Sequence, residues 1–178
     1  MKLSRKISII SETRSDKISD TQKIIDSALK ILEANKLVSI STVDKKTTQP
    51  HSCYLFYVFD DQLRIYFWTD PNSQHSLHIK ENNRVAANIT DTSQQFGTML
   101  HGLQIKGTAR HLRISELLVA GTLYFKRFPL VSTFVKHPRQ LNSKKLESKL
   151  YVLEISHIKV FDESVFGKEV YKTIIIKR

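Results

Sequence analysis

A chain of 178 residues with 40% hydrophobic and 25% charged residues fits one globular domain with a short extension. Its single cysteine, Cys53, excludes an internal disulfide and a multi-cysteine metal centre. The net charge of +11 favours anionic ligands, but no aromatic residues are interleaved with the basic ones to stack bases, so no nucleic-acid partner is expected.

Residues 1–18 are basic and polar without periodicity and read as a flexible or loosely docked extension, leaving 19–178 as the domain. Neither a signal-peptide core nor a run of about 18 apolar residues occurs, so no membrane association and a cytoplasmic location are expected. A helix over 20–34 follows, with Ile24, Ile25, Ala28, Leu29 and Leu32 on one face and Asp20 as its cap. Strands are predicted over 37–43 and 53–59, separated by a polar turn. The second is apolar on both faces, so a helix or a second subunit must cover its outer side. After Asp60-Asp61 a third strand runs over 63–68, and a short helix over 73–80 follows the turn Thr69-Asp70-Pro71-Asn72.

Further strands are predicted over 84–90 and 100–112, where Gly102 and Gly107 suggest bulges or bends that curl a sheet. A helix over 115–126 is broken by Pro129, another helical turn covers 130–135, and 136–148 reads as a mobile basic loop. The last strands cover 150–161 and 169–176. The fold class is therefore α+β, an antiparallel six-to-seven-stranded split β-barrel with flanking helices.

The order of Ile65-Tyr66-Phe67-Trp68-Thr69, Ser73-Gln74-His75-Ser76-Leu77-His78-Ile79, Asn83-Arg84-Val85-Ala86-Ala87 and the later GLQIKGTARHL resembles the pyridoxamine-phosphate-oxidase-like split barrels. YFKRFP at 124–129 and FGKEVYK at 166–172 are similar to a small, uncharacterised bacterial branch of that superfamily. The resemblance implies a homodimer binding FMN at the subunit interface, with redox transfer to a small molecule. It implies that the phosphate lies at the start of the short helix, near Thr69, Ser73 and His75. It also implies that Tyr54, Leu55, Phe56, Trp68 and Gln104 lie beside the ring, and that Arg127 and Lys168 reach an anionic group. The family's usual lysine aligns with His75, which weakens the phosphate clamp.

No catalytic acid or base is assignable, because the flavin can itself carry the hydride. A non-catalytic carrier or sensor of flavin, haem or a small anion, and a basic nucleic-acid-interacting protein, stay open as alternatives. No metal is expected: His75 and His78 share a helical face without a third ligand at supporting spacing, and Cys53 reads as an inert buried thiol.

Overall fold

The computed structural model describes residues 3, 7–11, 18–143 and 145–178. Eight strands form one antiparallel sheet: β1 (Ser8–Ser11), β2 (Leu37–Val43), β3 (Pro50–Phe59), β4 (Arg64–Thr69), β5 (Arg84–Thr90), β6 (His101–His111), β7 (Lys149–Asp162) and β8 (Tyr171–Lys177). Their order is β1-β8-β7-β4-β3-β2-β5-β6, and β6 pairs back onto β7, so six strands close a barrel and β8 and β1 extend from it.

The closure depends on the length of β7. Residues 149–154 pair with β4, residues 157–161 pair with β8, and residues 151–162, with Ser156 skipped at a bulge, pair with β6. The β6–β7 register shifts between Lys106 and Gly107. A Cβ at Gly107 would lie 2.3 Å from the Glu154 carbonyl oxygen, so only glycine lets the two backbones approach this closely. The bulge expected at Gly102 is absent: that glycine sits in regular pairing with Phe161 and Thr90.

Two apolar clusters hold the fold. Alternate residues of the strands fill the barrel interior, closed by the apolar face of α1 (Ile18–Ala34) through Ile24, Ala28 and Leu32. The second cluster lies outside the barrel. Val58, Tyr66 and Val152 on the strands meet Leu117, Ala120 and Tyr124 of α3 (Leu117–Arg127) and Val131 of α4 (Val131–Phe134). α2 (Gln74–Glu81) follows β4, and α5 (Glu163–Phe166) precedes β8.

Within the segment read as an extension, Ser8–Ser11 pair antiparallel with β8; residues 1, 2, 4–6 and 12–17 of that segment lie outside the described residues. One expectation changes: in the segment expected to be a mobile loop, Pro138–Asn142 form a 3-10 turn whose Leu141 is fully buried in the second cluster. Two leucines five apart in a polar run carry no periodicity, so this burial is invisible locally.

Charged side chains tie the 3-10 turn Ile114–Glu116 to the barrel. Arg110 makes two hydrogen bonds of 2.8 and 2.9 Å to the Glu116 carboxylate and one of 2.6 Å to Glu154, and Arg64 donates to Glu116 at 3.1 Å. The Arg110 hydrogen bonds hold the Glu116 carboxyl at about 2, below its ordinary 4.5. A depressed folded-state value makes this contribution complete above about pH 4.5, lost as pH falls toward 2. Thermal midpoints are expected to drop across that window, and Glu116→Gln, costing about 1–2 kcal/mol at neutral pH, should flatten the drop. An identical acid profile in the variant would remove the network from the account.

Candidate functional site

The outer face of β3 positions the main cleft. Strand alternation points Tyr54 and Phe56 outward, where they are 72% and 58% exposed, while Leu55 packs against the barrel core. Further along, Val58 is covered by α3, but the helix ends at Arg127 and leaves the first half of β3 bare. The chain then turns at Phe128-Pro129-Leu130 and forms the facing wall with Phe134. The resulting cleft of about 550 Å³ gathers Tyr54, Leu55, Phe56, Trp68 and Arg127. It adjoins a second groove through Tyr54 and Phe56, and that groove adjoins a third through Asn88. Gln104, exposed on β6, lines the third groove and does not share a cavity with Trp68.

The chemistry of the cleft is mainly apolar. At its floor, the Tyr124 hydroxyl donates to the carbonyls of Phe56 and Tyr66 at 2.9 and 3.2 Å. Burial pushes that phenol well above its ordinary range, so it stays protonated. The Trp68 indole Nε1–H is buried and has no hydrogen-bond partner among the described residues. Such an orphan donor costs about 1–3 kcal/mol, which a ligand acceptor would offset.

Arg127 is engaged elsewhere. Its guanidinium donates to the carbonyls of Leu32 (2.9 Å), Glu33 (3.2 Å) and Asn35, closing the C-terminal end of α1. It also lies over the rings of Tyr57 and Phe59, with 4.9 and 5.6 Å to their centroids. Lys36 stands exposed at the rim of the cleft. Lys168 lies in the turn between α5 and β8, beside Glu163, whose carboxyl it helps to lower.

Thr69, Ser73 and His75 form a second neighbourhood, where β4 passes into α2. His75 Nε2 lies 2.8 Å from Thr69 Oγ1 and 3.0 Å from Ser73 Oγ, and Thr69 and His75 are both buried. Ser73 makes no side-chain cap on α2; its hydroxyl lies 2.7 Å from the Asp70 carbonyl and 2.9 Å from Ser76 Oγ. Burial, then His51 and His78, lower the proton affinity of His75, against a raising effect from Asp70. The imidazole is therefore neutral at pH 7.

The apolar lining of the cleft suits an FMN ring, and Trp68, whose buried N–H has no partner among the described residues, stands in its wall. The phosphate fits the α2 end less well. Thr69, Ser73 and His75 spend their hydrogen bonds on one another, and no lysine or arginine stands among the charged neighbours of His75. The sequence pointed neither to His51 nor to the wall formed by Phe128, Leu130 and Phe134, and Cys53, expected to be a buried inert thiol, is half-buried and approaches His75 together with His51. The period-two alternation of β3 places His51, Cys53 and Leu55 on one face, but nothing local connects them to α2.

Among the described residues no helix is long and apolar enough to cross a membrane. The UPF0306 protein YE0465 of Yersinia enterocolitica is 26% identical over 118 residues, 65% of this chain and 71% of that protein. Two solved structures share the fold at low identity. The heme-binding protein of Mycobacterium smegmatis matches at 11% identity with a TM-score of 0.65 over 83% of this chain. The Agrobacterium tumefaciens protein Atu2129 matches at 15% with a TM-score of 0.63 over 78%. The chain spans little more than half the length of either, 55% and 56% respectively. The pyridoxamine 5'-phosphate oxidase family model matches residues 24–156, most of the barrel and the cleft with it, and the chain belongs to that family.

Proposed function

We propose that this chain binds FMN as a homodimer, with the isoalloxazine ring in the cleft beside Trp68, and acts as an FMN-dependent redox protein. The observation that carries this reading is the apolar cleft whose buried Trp68 N–H lacks a partner. Bound flavin would supply hydride or electron transfer; the chain's residues would hold the ring and exclude water. Tyr54 and Phe56 offer flat apolar contact, Trp68 an N–H for a ring acceptor, and a second copy would bury the exposed rings. The M. smegmatis relative is named a heme-binding protein. Here the residues lining the cleft include no histidine, cysteine or methionine; Tyr54 is the one exposed side chain among them of a type that ligates haem iron, and Tyr54→Phe should therefore leave flavin binding unchanged.

With the phosphate subsite uncharged, the ring should provide most of the affinity. FMN and riboflavin are expected to bind within about 10-fold of each other, a difference of about 1.4 kcal/mol. Lys36→Ala should weaken FMN by about 3-fold and leave riboflavin unchanged, since one exposed charge contributes about 1 kcal/mol or less. Equilibrium titration with both flavins, alongside sedimentation of the complex, checks this. Saturable binding of neither flavin, or a complex that remains monomeric, would overturn the proposal.

A further inference from the structure

His51 and Cys53 occupy alternate positions on β3 and are half-buried on the face that also carries Leu55. α2 packs against this strand and brings His75 onto them. One ring nitrogen of His51, one of His75 and the Cys53 sulfur lie within 4.8 Å of one another. The rings of His51 and His75 are parallel to within 3° with centroids 6.3 Å apart, and His78 meets His51 edge-on at 5.9 Å.

Hydrogen bonding sets which nitrogen of His75 is free. Ser76 donates to the Asp70 carbonyl at 2.8 Å, and the single Ser73 hydroxyl proton goes to that carbonyl or to Ser76. His75 Nε2 faces both Thr69 Oγ1 at 2.8 Å and Ser73 Oγ at 3.0 Å, while Nδ1 has no hydrogen-bond partner among the described residues. A ligating histidine is held in this way, with its distal nitrogen hydrogen-bonded to a neighbouring oxygen. The His51 ring makes no hydrogen bond among the described residues, and the Cys53 side chain has only a 3.9 Å contact from its sulfur to the Ile40 carbonyl. His78 is occupied by Thr42 at 3.1 Å and by Asp44 at 3.6 Å.

We propose that His51, Cys53 and His75 form a binding site for a borderline transition-metal cation of the Zn2+ class, with a fourth position open to water. Two imidazoles and a thiolate match the preference of such ions for nitrogen and sulfur. Bonds of about 2.0–2.3 Å in a tetrahedral shell put ligand atoms roughly 3.3–3.8 Å apart, so the side chains must close by about 1 Å. The alternative is a tight group of neutral side chains packed beneath α2. Against it, one nitrogen of each ring and the thiol sulfur converge within 4.8 Å of one another, and neither the His51 ring nor His75 Nδ1 has a hydrogen-bond partner among the described residues. On binding, the thiol proton is released to solvent and the sulfur ligates as thiolate.

The test uses the full chain, chelator-treated and free of flavin, so that it reads independently of the cleft. Co2+ is expected to bind in equimolar amount with a thiolate-to-cobalt charge-transfer band, and Zn2+ to displace it. Cys53→Ser and His51→Ala should each weaken Zn2+ by about 100-fold or more, and the double change Thr69→Val with Ser73→Ala by about 10-fold, as loss of a ligand or its hydrogen-bond support does elsewhere. Circular dichroism confirms that each variant folds. On the unaltered chain, Zn2+ should also protect Cys53 from alkylation by iodoacetamide, a readout that needs no variant. A cobalt complex without the thiolate band, a Cys53→Ser chain that binds Zn2+ like the original, or unprotected alkylation would each overturn the proposal.

Discussion

Replacing Asp60 with alanine is expected to destabilise the chain by about 3–5 kcal/mol, the cost of removing one partner from a buried charged cluster. Asp60 begins the tight turn between β3 and β4 and is 5% exposed. One carboxylate oxygen accepts from the backbone amides of Gln62 (3.0 Å) and Arg64 (2.9 Å), which fixes the turn. The other accepts from Arg64 Nε at 2.8 Å and the Tyr66 hydroxyl at 2.9 Å. Alanine leaves the fully buried Tyr66 hydroxyl without its acceptor and the Arg64 guanidinium with Glu116 alone. Asparagine keeps one acceptor and turns an amide toward the other donors, so Asp60→Asn should lose less. Urea unfolding of the two variants measures the difference. A loss below about 1 kcal/mol for Asp60→Ala would mean that the cluster contributes little.

Gly107→Ala should cost about 3 kcal/mol or more, because the added methyl has nowhere to go. It would meet the Glu154 carbonyl oxygen at 2.3 Å and a Leu153 methyl carbon at 2.8 Å, at the bulge that closes β6 onto β7. Relief requires moving backbone that also pairs with β4, so the strain spreads round the barrel. Gly102→Ala on the same strand is the control. Its nearest neighbour would be Thr90 Oγ1 at 3.3 Å, a side chain able to yield, and the expected cost is about 1 kcal/mol or less. Denaturant midpoints for the pair test whether the closure depends on the one position rather than on glycine in general. Equal losses would contradict the register described for β6 and β7.

How far the sequence could be read depended on the range of the forces involved. β2 to β8 were legible because alternation and turn residues are local, and α1 because five apolar residues recur at helical spacing. β1 was not: Ser8–Ser11 is four residues long, and only pairing with β8, at the opposite end of the chain, defines it. The cleft was legible in part, since Tyr54, Phe56 and Trp68 belong to strands whose order was read correctly. Arg127 was harder, because its partners on α1 are more than 90 residues away and burial among backbone carbonyls leaves no motif. The same holds for His51 and Cys53. β3 places them together, but only the packing of α2 adds His75. Gln104 shares the barrel's outer surface with Tyr54, yet its cavity is a neighbouring one.

The most direct measurement is the emission of Trp68, the sole tryptophan, as FMN is added to the purified chain. Saturable quenching at equimolar flavin, lost when Leu130 on the opposite wall is changed to arginine, is the predicted result. Quenching that never saturates, or that is the same in Leu130→Arg, would contradict a flavin ring seated beside that indole.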